Sequence, residues 1–191
     1  MQANQYSGLV LAARRPGVTD PLASAAGVSH KCMVPINGKC MLERVVGVLL
    51  DSGCFRHVYV CIDDAGVLET NTALKGWLQS GVISTVAAEG NLADSVIAAA
   101  GRIPDANWPI MITTADNALH TPELLRDFIT GTEAAAADVS LGLTREETVL
   151  ADLPEAAKAF HRVKDGGFSS CNLYALTGRK ALETAEVFRG G

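Results

Sequence analysis

Three stretches combine residue types and spacing that can do chemistry. The first is Ala12-Ala13-Arg14-Arg15, followed later in the same connection by Lys31. Small side chains at Ala12 and Ala13 let a flat ligand approach the main chain. Arg14, Arg15 and Lys31 can grip a triphosphate through charge-assisted hydrogen bonds. A solvated basic loop has the same composition, so residue types alone leave both readings open. Neither G-x-G-x-x-G nor G-x-x-x-x-G-K-[ST] occurs, which removes the dinucleotide fingerprint and the ATPase phosphate loop. The second stretch is Ile112-Thr113-Thr114-Ala115-Asp116-Asn117. A carboxylate just past an apolar strand suits Mg2+, which takes oxygen donors and shares them with substrate phosphates. A turn or cap ahead of Thr121 is the competing reading, and the strongly apolar run before Asp116 favours the metal. The third is Asn172 in Cys171-Asn172-Leu173-Tyr174, whose carbonyl is either a second oxygen ligand or an amide satisfied by nearby backbone.

The elements that must hold these residues follow from the apolar pattern. Gly8 to Ala13 is short and continuously apolar, as in a strand buried on both faces. Residues 14–38 then carry Pro16, Gly17, Pro21, Gly27, Pro35 and Gly38 with no steady period, which predicts a long connection of a length found where it is functional or disordered. Met41 to Leu50 reads as an amphipathic helix stopped at Gly53, and His57 to Ile62 as a second buried strand. A helix from Val67 to Leu78, a strand from Val82 to Val86, a helix from Leu92 to Ile103 and a strand from Pro109 to Thr114 continue the alternation. Thr121-Pro122-Glu123 opens a helix to about Thr130, and Asp138 to Leu143 forms a further strand. This rhythm predicts an α/β fold of three layers, with helices on both faces of a mostly parallel sheet. Beyond Thr144 the rhythm changes. A polar region from Arg145 to Ala159 precedes two extended runs, Ala159 to Val163 and Ser170 to Leu176, joined by Lys164-Asp165-Gly166-Gly167. That reads as a hairpin adding antiparallel character at one edge of the sheet. In open α/β sheets ligands bind beyond the carboxyl ends of the strands, where Arg14 and Asp116 fall.

Composition narrows the function. The 191 residues, 48% hydrophobic, suit one compact domain over residues 1–191. A net charge of -5 with thinly spread Lys and Arg argues against nucleic-acid binding. No apolar window is long enough to span a membrane and the first residues do not read as a signal peptide, so the expected location is cytoplasmic. The 5 cysteines contain no C-x-x-C pair and read as reduced packing residues. His57, His120 and His161 are assigned to structure, and Asp63-Asp64, which follows a strand, reads as a solvated turn in preference to a second acidic site.

Taken together, these stretches resemble nucleotidyltransferases of the GT-A-type (nucleotide-diphospho-sugar transferase) fold, in the branch related to molybdenum cofactor guanylyltransferase. Gly8-Leu9-Val10-Leu11-Ala12-Ala13-Arg14 is similar to the opening strand and loop of that superfamily. His30-Lys31-Cys32-Met33-Val34-Pro35-Ile36-Asn37-Gly38-Lys39-Cys40-Met41-Leu42 resembles its P-K-x-L-x-x-x-x-G-x-P-M-L segment. Glu89-Gly90-Asn91-Leu92 stands at its small-residue turn beside base and ribose, and Thr114-Ala115-Asp116-Asn117 at its metal aspartate. Arg14 replaces the usual glycine, and His30 and Cys40 replace prolines. The chain also ends sooner than many members, so part of the acceptor side is expected to be missing.

The resemblance implies a Rossmann-like sheet and an Mg2+-dependent transfer of NMP from an NTP to a phosphorylated acceptor, releasing pyrophosphate. Lys31 and Asp116 would be catalytic. Leu11, Ala12, Ala13, Arg14, Arg15, Lys31 and Asn91 would bind nucleotide, and Asp116 with Asn172 would hold the metal. The partners expected are an NTP and a small phosphorylated acceptor such as a sugar phosphate, with homodimer formation left open. Two rivals stand beside this: a GT-A glycosyltransferase using an NDP-sugar, which usually shows a D-x-D pair, and a non-catalytic nucleotide-binding homologue. Asp116 is followed by Asn117 and Ala118, against the first, while Arg14 in place of glycine suggests the second.

Overall fold

The computed structural model describes residues 5–14, 17–155 and 160–186. Its centre is a sheet built from β1 (Tyr6–Leu11), β4 (Phe55–Ile62), β5 (Ile83–Ala87), β6 (Ile110–Thr114), β7 (Val139–Arg145), β8 (His161–Val163) and β9 (Gly166–Leu176). The order is β5-β4-β1-β6-β9-β7, with β8 paired to β9. β1, β4, β5 and β6 are mutually parallel, and β9 runs antiparallel to both β6 and β7. The antiparallel character expected at one edge is present there: β8 and β9 form the hairpin, and β9 lies between β6 and the edge strand β7. A run of 11 residues gives β9 enough length to pair β6 with one end, β8 with the other, and β7 along much of its span.

Helices cover both faces because successive strand residues point opposite ways. Val10, Val58, Val60 and Met111 face α2 (Met41–Ser52), α3 (Thr72–Ser80) and α5 (Pro122–Ala135), whose Leu42, Val46, Leu49, Leu74, Leu125 and Ile129 complete one core. Leu9, Tyr59, Cys61 and Ile112 face Ala99 and Ala100 of α4 (Leu92–Arg102) and form the other. Gly8 is small because α2 crosses it closely: a Cβ there would lie 2.5 Å from Leu49 Cδ2.

Local chemistry accounts for most boundaries. Gly53 ends α2 in the left-handed conformation, as its sequence position predicts. Thr121 Oγ1 caps α5 with Pro122 at the first turn, but the helix continues to Ala135, past the expected end near Thr130. The helix expected from Val67 to Leu78 is broken: Asn71 ends a 3-10 helix (Ala65–Thr70) and caps α3 with its side chain. The long connection after β1 holds α1 (Pro21–Ala25), capped by Asp20, a 3-10 turn (Lys31–Met33), and the small hairpin of β2 (Pro35–Ile36) and β3 (Lys39–Cys40). A short helix, α6 (Glu146–Asp152), occupies part of the region read as polar connection, and the chain continues to α7 (Glu183–Glu186). Ala159, the expected start of β8, lies outside the described residues, as does Arg15. Among the described residues no helix is long and apolar enough to cross a membrane.

Candidate active site

The carboxyl ends of β1, β4, β5 and β6 lie side by side because these strands are parallel and in register. One hydrogen bond beyond each ladder keeps the following residues together. Ala12 N–H donates to Cys61 O at 2.8 Å, Ala115 N–H to Leu11 O at 2.9 Å, and Ala88 N–H to Ile62 O at 3.2 Å. Leu11 is half-buried, Ala12 buried and Ala13 exposed, so the small residues meet solvent at the sheet's edge.

Two of the residues singled out from sequence meet directly. Lys31 Nζ donates to Asp116 Oδ2 at 2.6 Å, across 85 positions of chain. Thr114 Oγ1 donates to Asp116 Oδ1 at 2.6 Å. Burial pushes the Asp116 carboxyl upward, but the hydrogen bonds from Lys31 and Thr114 outweigh it and hold the group below its ordinary value. Asp116 is therefore an anion at neutral pH, partly exposed and already seating a cation.

Asn172 reaches the same place by a different route. The pairing of β7 with β9 shifts register between Leu141 and Leu143, and the pairing of β6 with β9 stops at Ile112 and Tyr174. Within this bulge Asn172 has φ 50°, a left-handed conformation that asparagine tolerates better than most residues. Its N–H donates to Ser170 Oγ at 3.1 Å, and its Nδ2 lies 3.5 Å from Asn117 Oδ1. Asn117 Nδ2 in turn donates to Thr114 Oγ1 at 2.9 Å and Thr113 Oγ1 at 3.1 Å. A polar line thus runs from Asp116 through Thr114 and Asn117 to Asn172, with no direct bond between its ends.

The other expected ligands are placed differently. Arg14 does not face Lys31: its main-chain N–H and Nε donate to Asp63 Oδ1 and Oδ2 at 3.1 and 2.9 Å. Asp63, read from sequence as a solvated turn, accepts both and also lies 3.1 Å from His30 Nε2. The signal that marked Asp116, an acid just past a strand, was equally present at Asp63; its partners were not. Burial raises the Asp63 carboxyl, and the Arg14 hydrogen bonds and His30 more than offset this. Asn91 caps α4: its Oδ1 accepts from Asp94 N–H at 2.9 Å and its Nδ2 donates to Asp94 Oδ2 at 2.7 Å.

No cluster of three or more His, Cys, Asp or Glu side chains suited to a metal occurs among the described residues. One carboxylate with amide and hydroxyl oxygens is nevertheless a donor set that fits Mg2+, which completes its shell with substrate phosphates and water. The ammonium of Lys31 on Asp116 marks the spot where a cation is stabilised.

Two of the histidines read as structural have a ring nitrogen on a protein partner, while His161 is exposed on β8 and His120 Nδ1 is buried without a partner among the described residues. His57 Nε2 lies 2.7 Å from Ser84 Oγ and its ring packs on Tyr59, while His120 Nε2 donates to Cys171 O at 3.2 Å. All 5 cysteines are free, and burial pushes the thiols of Cys32 and Cys61 up to about 12 and about 11. They are packing groups rather than nucleophiles.

Comparison with solved structures shows the same fold. A hypothetical transferase of Thermus thermophilus superposes with a TM-score of 0.68 at 22% identity, over 91% of this chain. The chain spans 65% of that protein's length. A CMP:2-keto-3-deoxy-manno-octonic acid synthetase complexed with CTP gives 0.62 at 15% identity, over 97% of this chain and 79% of that one. Rv0371c of Mycobacterium tuberculosis, complexed with manganese, gives 0.53 at 17% identity, over 96% and 76%. Among curated proteins no sequence matches the chain. The MobA-like NTP transferase domain matches residues 8–166, a span that includes the β1 loop, Lys31, Asp63 and Asp116. With its mainly parallel sheet of the nucleotide-diphospho-sugar transferase type, the chain belongs to the MobA-like NTP transferase family.

Proposed function

We propose that the chain transfers NMP from an NTP to a small phosphorylated acceptor, releasing pyrophosphate, with Mg2+ as cofactor. The observation that carries this reading is the contact of Lys31 with Asp116 beside the carboxyl ends of β1 and β6. It sets a cation able to bind phosphate beside a carboxylate able to hold Mg2+, and charge neutralisation of both kinds favours in-line attack on an α-phosphate. The CTP and manganese complexes of structural relatives support the same reading.

Transfer of this kind asks little covalent work of the protein and much positioning and charge neutralisation. When bound, the divalent cation neutralises charge on the phosphates and orients them. Asp116 would hold it, with the Asn172 carbonyl as a second oxygen donor. Lys31 binds the triphosphate and balances the charge that builds on the leaving pyrophosphate. The Leu11 carbonyl and the Ala12 N–H are taken by Ala115 and Cys61, and the Asn91 carbonyl by Ser95, so within the expected nucleotide-binding set the exposed main chain at Ala13, just past these bonds, is what meets the base.

Pyrophosphate release with each NTP and a panel of sugar phosphates tests the proposal. Release with at least one pair is expected, falling at least 100-fold in Asp116→Ala while the fold is retained. Undiminished release in that variant would remove Asp116 from the metal site. Turnover of an NDP-sugar without use of any NTP would replace the transfer with a glycosyltransferase reaction.

A further inference from the structure

Asp63 is the point at which two loops of the site are tied together. It follows β4 directly, and its carboxylate takes three donors from two distant segments. Arg14 supplies its main-chain N–H and its Nε, and the guanidinium NH2 also lies 2.9 Å from Oδ2. His30 supplies Nε2, with a side chain only 1% exposed and Nδ1 fixed 2.8 Å from Ser29 Oγ. His30 is bonded to Lys31, so a continuous chain of contacts runs Arg14, Asp63, His30, Lys31, Asp116 across the ends of β1, β4 and β6.

This arrangement bears on why an arginine stands at position 14. Among the described residues outside glycine, positive φ occurs at Asn37, Ala136 and Asn172, not at Arg14, so the loop has no need of glycine's freedom there. Nε and a terminal guanidinium nitrogen share Oδ2 while the Arg14 main-chain N–H takes Oδ1, so both carboxylate oxygens hold Arg14 and the charges are neutralised as a pair. We propose that Asp63 is a positioning residue, that Arg14 is its latch rather than a ligand of the triphosphate, and that with buried His30 they set the place of Lys31. The inference rests on the nucleotidyl transfer proposed above.

The two roles for Arg14 predict opposite results. If Arg14 is a latch, Asp63→Ala and Arg14→Ala each weaken Mg·NTP binding and raise KM, by roughly 10-fold or more, as expected when a binding group is misplaced. The double variant is then no worse than the poorer single one. Arg14→Lys behaves like Arg14→Ala, because an ammonium keeps the charge but not the two-nitrogen fork. If Arg14 is instead a phosphate ligand restrained by Asp63, Asp63→Ala frees it and KM falls, while Arg14→Lys stays close to the parent. Either of those results overturns the latch. Calorimetric titration with Mg·NTP reads binding without need of the acceptor. The His30 ring 15N resonances, expected to shift in both Asp63→Asn and Arg14→Ala, report the contact itself, and resonances unmoved in both variants overturn it. A parent chain that binds no NTP sinks the nucleotidyl transfer reading and this role with it, whereas normal parental binding with unaltered Asp63→Ala binding sinks the latch alone.

Discussion

Asp116 and Asp63 do their work as anions, and the same contacts that keep them charged tie their ionisation to folding. In each, hydrogen bonds and nearby positive charge outweigh the upward push of burial, from Lys31 and Thr114 at Asp116 and from Arg14 and His30 at Asp63. A carboxyl whose value is depressed by folding adds stability above its unfolded value, near pH 4, and loses it as pH falls through the lower folded value. The melting temperature should therefore drop as pH is taken below about 4, and Asp63→Asn should flatten that drop. An acid limb equally steep in Asp63→Asn would show that Asp63 carries no such linkage. Residue types alone pointed to Lys31 and Asp116 as chemistry-bearing side chains. They could not reveal that Arg14, equally basic and closer to β1, is taken by Asp63, because that bond spans 49 positions and depends on β1 and β4 lying in register.

At the scale of elements, the site depends on how closely α2 can lie against β1. Gly8 leaves room for Leu49, a fully buried side chain of α2. Filling that room with Gly8→Val should destabilise the protein by about 1–3 kcal/mol, the usual cost of overpacking, read as a lower urea midpoint with an unchanged slope. A midpoint equal to that of the parent would mean α2 shifts freely. The strands of the parallel half, and helices α2 and α4, are legible in the sequence because their apolar periods are clean and their ends carry Gly53 and Asn91. The break at Asn71 and the helix α6 are not, since each turns on one cap or a few polar residues rather than on a period.

For the whole molecule, the expectation is linkage between nucleotide and fold. A ligand that binds only the native state at 100 times its Kd adds about 2.7 kcal/mol. Thermal melts with ATP, GTP, CTP and UTP, with and without Mg2+, should show stabilisation by one nucleotide that needs the metal and disappears in Asp116→Ala. Equal stabilisation without Mg2+ would detach the binding site from Asp116. The sequence by itself determined the alternation of strands and helices, the apolar interior on both faces of the sheet, and the strand ends past which Arg14 and Asp116 fall, since these follow from local periodicity and from the handedness of βαβ units. Tertiary structure alone decided the place of β9 between β6 and β7, the bulge that turns Asn172 toward Asn117, and the joining of Arg14 and His30 on Asp63. The physical reason is that strand order, register and side-chain partners are chosen by contacts between segments far apart in the chain, and a local pattern of residue types carries no record of which distant group will meet it.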